Sequence, residues 1–244
     1  MSRTILITGA STGLGAAMAQ RLAADNCIVV HFNRSAPEAQ QVARQVKQAG
    51  GTAVLVQADL SCERGCDTVA QAVANSCDGR LDVLINNAGS LIRRQAVRDL
   101  SWDLMQQTFS LNVFSVMRVT ALCIPYLEKG DDPNIINISS IAMRHGAPTA
   151  TIYGATKGAL DSFTRGAAKE LAPTIRVNAI APGVIETPFH EAVSTAEQLE
   201  RFRASTPLQR NGQAIHIARA AQFLIENDFV TGETIDVNGG LFMH

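Results

Sequence analysis

The stretch that decides the fold is Thr4-Ile5-Leu6-Ile7-Thr8-Gly9-Ala10-Ser11-Thr12-Gly13-Leu14-Gly15. An aliphatic, β-branched run meets a glycine cluster and then a helix-forming segment, which reads as strand, tight turn and helix start. The glycines follow a Gly-x3-Gly-x-Gly spacing. Glycine at such a turn lets the backbone approach a pyrophosphate, and the helix that follows offers unpaired N–H groups and a positive dipole end. Glycines also serve ordinary tight turns. The position after a first strand and before a first helix is what makes dinucleotide binding the reading.

Working outward, strands are expected over 4–8, 27–32, 52–57, 82–86, 134–139, 175–180 and 234–237. Helices are expected over 13–25, 37–48, 61–75 with Ser61 as N-cap, 101–127 as one long helix, 151–171 and 213–225, with a less regular stretch at 187–207. This alternation predicts an α/β fold, a doubly wound parallel sheet with helices on both faces. The chain shows no internal repeat and no linker, so residues 1–244 are read as one domain. In such sheets ligands bind beyond the carboxyl ends of the strands.

Hydrophobic residues make up 46% of the 244 and charged residues 18%, a globular balance with a net charge of −1. The absence of a basic block argues against nucleic acid or an anionic membrane as the main partner. No uninterrupted apolar run is long enough to span a bilayer, and the N-terminal apolar stretch reads as a strand rather than a signal peptide. Cys27, Cys62, Cys66, Cys77 and Cys123 form no CxxC or zinc-type spacing. They read as reduced thiols of a cytoplasmic protein without a bound metal.

The second strand ends in Phe32-Asn33-Arg34-Ser35. An acid there would hold the ribose 2′-hydroxyl of NAD, whereas an arginine suits the 2′-phosphate of NADP. NADP(H) is therefore favoured, with NAD(H) as the alternative and a solvated Arg34 as the plain reading. Asp59 either accepts from the adenine amine or caps the helix near Ser61. Asn86-Asn87-Ala88-Gly89 reads as an Asx turn or as close approach to a flat ligand. In Tyr153-Gly154-Ala155-Thr156-Lys157, a phenol and an ammonium four apart share a helix face, where a positive charge would favour the phenolate. By themselves the two also read as an ordinary tyrosine beside a solvated lysine.

Taken together, TGASTGLG, NNAG, Ser140 thirteen residues before YGATK, and Pro182-Gly183 resemble the short-chain dehydrogenase/reductase family over nearly the whole chain. The resemblance implies a Rossmann-type fold and the catalytic set Asn112, Ser140, Tyr153 and Lys157. Tyr153 would exchange a proton with the substrate oxygen, and Lys157 would lower the tyrosine pKa and grip the nicotinamide ribose. Ser140 would orient the reacting oxygen, and Asn112 would support a water relay. The cofactor would lie along Gly9, Ser11, Thr12, Gly13, Leu14 and Gly15, then Asn33, Arg34 and Ser35. It would continue past Asp59 and Leu60, then Asn87, Ala88 and Gly89, to Tyr153, Lys157, Pro182, Gly183, Val184 and Thr187. A substrate lid over 187–207 and a homotetramer or homodimer are further implications.

For the substrate, Ile92-Arg93-Arg94 resembles dehydrogenases of deoxy-keto sugar acids. With Arg144, His145 and His190, and with Ser140 and Tyr153 at the reacting oxygen, it points to a small anionic, oxygen-rich substrate. The length and the C-terminal Asp236-Val237-Asn238-Gly239-Gly240 resemble 3-oxoacyl-carrier-protein reductases, but the acidic 128–133 segment suits an acidic carrier poorly. A non-catalytic dinucleotide-binding scaffold is the reading from another class, and the complete catalytic set argues against it.

Overall fold

A computed structural model describes residues 2–189 and 195–243. The aliphatic runs form seven parallel strands: β1 Thr4–Ile7, β2 Cys27–Phe32, β3 Thr52–Gln57, β4 Val83–Asn86, β5 Asn134–Ile138, β6 Arg176–Pro182 and β9 Thr234–Val237, in the order β3-β2-β1-β4-β5-β6-β9. Because side chains alternate along a strand, each run serves two cores. Ile5, Ile7, Ile28, Val30 and Ile85 face one side, and Leu6, Val29, Leu84 and Ile135 face the other.

The first core packs against α1 Gly13–Arg21, α2 Ala36–Gln48 and α9 Ala214–Glu226, through residues such as Met18, Val42 and Leu224. The second packs against α3 Glu63–Asn75, α5 Ser115–Leu127 and α7 Thr151–Leu171, through Val69, Val119, Cys123 and Ala167. Strand order reverses between β1 and β4, which opens a crevice at their carboxyl ends. At the opposite ends, Asp82 is buried and accepts the Thr4 amide at 2.7 Å, the Asp131 amide at 2.7 Å and the Arg80 guanidinium.

Three sequence expectations are corrected. The segment expected as one helix over 101–127 is α4 Trp102–Phe109, capped by Ser101, then a π-helical turn Ser110–Phe114, then α5. Such turns arise where tertiary contacts override the i→i−4 ladder, and they recur at functional positions; this one carries Asn112. Trp102–Leu127 is long and apolar enough to cross a bilayer, but Leu104, Val116, Val119, Cys123 and Leu127 are buried within the fold. Second, α3 starts at Glu63 rather than Ser61, because the Ser61 amide and hydroxyl both turn back onto the Asp59 carboxylate, at 2.9 and 2.7 Å. Third, the stretch 187–207 contains a regular helix, α8 Ala196–Ser205. Its start was legible as Thr195-Ala196-Glu197-Gln198, a capping box in which the Thr195 hydroxyl and Gln198 side chain satisfy each other's backbone amides. The short parallel pair β7 Ile185–Glu186 and β8 Gly212–Gln213 brackets the two ends of this excursion.

Candidate active site

The carboxyl ends of the strands surround a cleft of about 940 Å3. Its first wall is the glycine loop. The Thr8 hydroxyl accepts the amides of Asn87 and Ala88 at 2.9 and 3.0 Å, and the Asn87 side-chain amide donates to the carbonyls of Thr8 and Gly9. This cross-bracing ties the β1 and β4 ends into one rigid rim. Of the expected cofactor residues, Gly9, Ser11, Thr12, Gly13 and Leu14 line the cleft. Gly15 does not, and its role is packing: a Cβ there would collide with the Gly9 carbonyl and lie 2.7 Å from the Asn87 amide nitrogen.

Asn33, Arg34, Ser35, Asp59 and Leu60 line the far end. The Asp59 carboxyl is held below its ordinary value by the two hydrogen bonds from Ser61, with the Arg34 guanidinium adding to the effect. Asn87, Ala88, Gly89, Pro182, Gly183, Val184 and Thr187 line the middle. Asn86 instead turns inward to Thr120 and Asn137, at 3.1 and 3.0 Å.

The β5 end and α7 bring the four expected catalytic residues together. Lys157 is buried, with its ammonium donating to the Ile138 carbonyl at 2.8 Å and standing 5.7 Å from the Tyr153 ring centre. The Ser140 hydroxyl, which accepts the Ala142 amide at 3.1 Å, lies beside the Tyr153 phenol, whereas the Ser139 hydroxyl turns inward to the Lys157 carbonyl at 3.0 Å. Asn112 is fully buried behind the cleft. It exchanges two hydrogen bonds with the Ser90 backbone, at 2.8 and 2.9 Å, and donates to Thr156 at 3.2 Å. A Cβ on Gly89 would stand 3.0 Å from Asn112 Oδ1 and 3.3 Å from Lys157 Nζ, so a side chain there would crowd this cradle.

The ionisation differs from expectation. Burial pushes the Tyr153 phenol up to about 12, partly opposed by Ser140, and draws Lys157 down to about 8. Desolvation of the charged forms outweighs the lysine's attraction for a phenolate. At neutral pH both groups therefore favour their protonated forms, an arrangement chemically able to donate a proton.

At the substrate mouth, Arg94 and His145 line the cleft. Arg93 instead reaches the Ser101 hydroxyl at 3.3 Å, and Arg144 pairs with Asp236 at 3.4 Å, so neither faces the mouth. His190 lies outside the described residues. Sequence reasoning missed Phe189, whose ring centre is 6.1 Å from that of Tyr153, and Phe202 of α8, which also lines the cleft. It missed His31 as well, although a lone polar residue in the aliphatic run Cys27–Phe32 was a visible signal.

The cleft, its glycine rim and the cradle at Gly89 suit a nicotinamide dinucleotide. The family model described as "Enoyl-(Acyl carrier protein) reductase" matches residues 9–242. An oxidoreductase of Methylorubrum extorquens is 38% identical over 98% of this chain and 97% of its own. A short-chain dehydrogenase from Burkholderia cenocepacia J2315 in complex with NADP superimposes with a TM-score of 0.90 at 31% identity, covering 98% of this chain and 97% of that one. An NADH-dependent reductase responsible for alginate metabolism gives a TM-score of 0.91 at 28% identity, over 100% of this chain and 98% of the other. With the sheet, the rim and the Tyr153–Lys157 face in place, these likenesses make the chain a member of the short-chain dehydrogenase/reductase family, an oxidoreductase that uses a nicotinamide dinucleotide.

Proposed function

We propose that the protein is an NADP(H)-preferring carbonyl reductase, and the reverse alcohol dehydrogenase, acting on a small anionic, oxygen-rich substrate of the sugar-acid class. The observation that carries the reaction is the protonated Tyr153 phenol, which lines the cleft beside Ser140 and above the buried Lys157. The bound dinucleotide supplies or accepts the hydride. Tyr153 gives its proton to the substrate oxygen, and Ser140 holds that oxygen in line with a second hydrogen bond. Lys157, anchored on Ile138, keeps a positive charge beneath the ring, and Asn112 braces Ser90 so that the mouth keeps its shape.

NADP preference rests on Arg34 at the β2 end, where no acid is present to favour a free 2′-hydroxyl. Arg34→Glu is expected to raise KM for NADPH by about tenfold to a hundredfold, the worth of one charge-assisted hydrogen bond, while changing KM for NADH far less. Equal changes for both cofactors would deny Arg34 this role.

Arg94 and His145 support the anionic substrate. The 3-oxoacyl thioester reading is favoured by a different observation, the apolar wall of Leu91, Ile141, Phe189 and Phe202. Initial rates of NADPH oxidation with a keto-deoxy sugar acid and with an acetoacetyl thioester separate the two. A higher kcat/KM is expected for the sugar acid, and a clear preference for the thioester would overturn that assignment.

A further inference from the structure

His31 sits at the carboxyl end of β2, buried between the glycine loop and the β3 end. Two consecutive loop amides end on it. The Ala10 N–H donates to the His31 carbonyl at 2.8 Å, and the Gly9 N–H donates to ring Nδ1 at 2.9 Å. The other ring nitrogen, Nε2, lies 3.1 Å from the Ala58 carbonyl oxygen. A backbone N–H only donates and a carbonyl only accepts, so both contacts hold in one protonation state alone: neutral imidazole with its proton on Nε2. A second proton, on Nδ1, would set two donors against each other in a buried place, leaving both without an acceptor.

We infer that His31 is a positioning residue for the dinucleotide: its neutral ring sets the curvature of the glycine loop, and the loop loses its grip on the cofactor when the ring takes up a second proton. The inference rests on the reading that this loop holds the cofactor, and it concerns affinity rather than the hydride step. The groups around the ring fit it. The loop residues 8–15 carry no ionisable side chain. Asp59, beyond the β3 end, is the ionisable group facing the ring and favours the charged form, while Arg34 faces Asp59. Burial outweighs Asp59 and holds the ring below its ordinary value of 6.5. The neutral contact is therefore complete above pH 6.5 and is lost as pH falls through the lower folded value.

Calorimetric binding of NAD+ and NADP+ to the full chain from pH 8 to pH 5 tests this. NAD+ is the decisive ligand, because the 2′-phosphate of NADP+ itself titrates near pH ~6. The wild-type Kd for NAD+ should be flat above pH 6.5 and rise by up to about tenfold per pH unit once pH falls below the folded value of the ring. In His31→Asn the shorter amide still accepts the Gly9 N–H but does not titrate. Whatever its Kd at pH 8, that variant should show no acid slope. A wild-type Kd that stays flat while the nitrogen-15 shift of the ring shows it taking up its second proton, or an unchanged slope in His31→Asn, overturns the inference. Nitrogen-15 NMR of the assigned wild-type ring at pH 7.5 gives a reading that needs no variant. Protonation on Nε2 alone is expected, and a proton on Nδ1 overturns it. Failure of both dinucleotides to bind at pH 8 would sink the cofactor reading itself, and the role of His31 with it.

Discussion

Tyr153→Phe is expected to lower kcat for carbonyl reduction by about 10^2 to 10^4, the usual cost of removing a positioned proton donor. The phenol lines the cleft beside Ser140, and burial keeps its proton in place up to about pH 12. Phenylalanine preserves the ring, its packing on Phe189 and its place above Lys157. Dinucleotide binding should therefore persist, and folding stability should change by no more than about 1 kcal/mol, the net worth of a single hydrogen bond. Steady-state rates measured beside cofactor titration separate the two effects. If the variant retained more than a tenth of the wild-type kcat, Tyr153 would not be the proton donor.

Lys157→Met is expected to move activity and stability in opposite directions. Burial brings the ammonium from 10.5 down to about 8, so the charged form is disfavoured in the folded state by about 3 kcal/mol. Between pH 8 and 10.5 the unfolded chain holds the proton more tightly than the folded one. Wild-type stability therefore carries a full penalty below pH 8, and that penalty is relieved as pH rises through the window. Methionine fills similar volume without a charge. It leaves the Ile138 carbonyl without its 2.8 Å donor, at a cost of about 1 kcal/mol. The apo variant should thus be more stable than wild type by about 2 kcal/mol at pH 7. This advantage should shrink towards pH 10.5, while kcat falls by about a hundredfold or more as the charge beneath Tyr153 disappears. Denaturant unfolding at pH 7 and pH 10 is the measurement. A variant less stable than wild type at pH 7, with the wild-type pH slope retained, would show that the buried charge is not costly.

The outcomes for these two residues share one cause. The site keeps a desolvated cation under a neutral phenol, an arrangement that the fold tolerates rather than gains from. Stability given up at a functional position is a common pattern.

What the sequence determined is whatever depends on short-range pattern. Aliphatic runs alternating with helix-length segments specified a parallel sheet, and the glycines after β1 specified the loop at its end. A four-residue helical spacing brought Tyr153 and Lys157 onto one face. The tertiary structure decided whatever depends on partners far along the chain. Arg144 was drawn from the mouth by Asp236, 92 residues away. The turn bearing Asn112 became π-helical in the helix that spans the site, with its side chain clamped on Ser90, 22 residues away. His31 was recruited by Gly9 and Ala58, from two other strand ends. The ionisation of Tyr153 and Lys157 belongs to the same class, since it is set by burial against distant segments and not by their mutual spacing. Local periodicity is a property of neighbouring residues and is written in their order. Desolvation and side-chain pairing are properties of the packed interior, and they exist only once the chain has closed on itself.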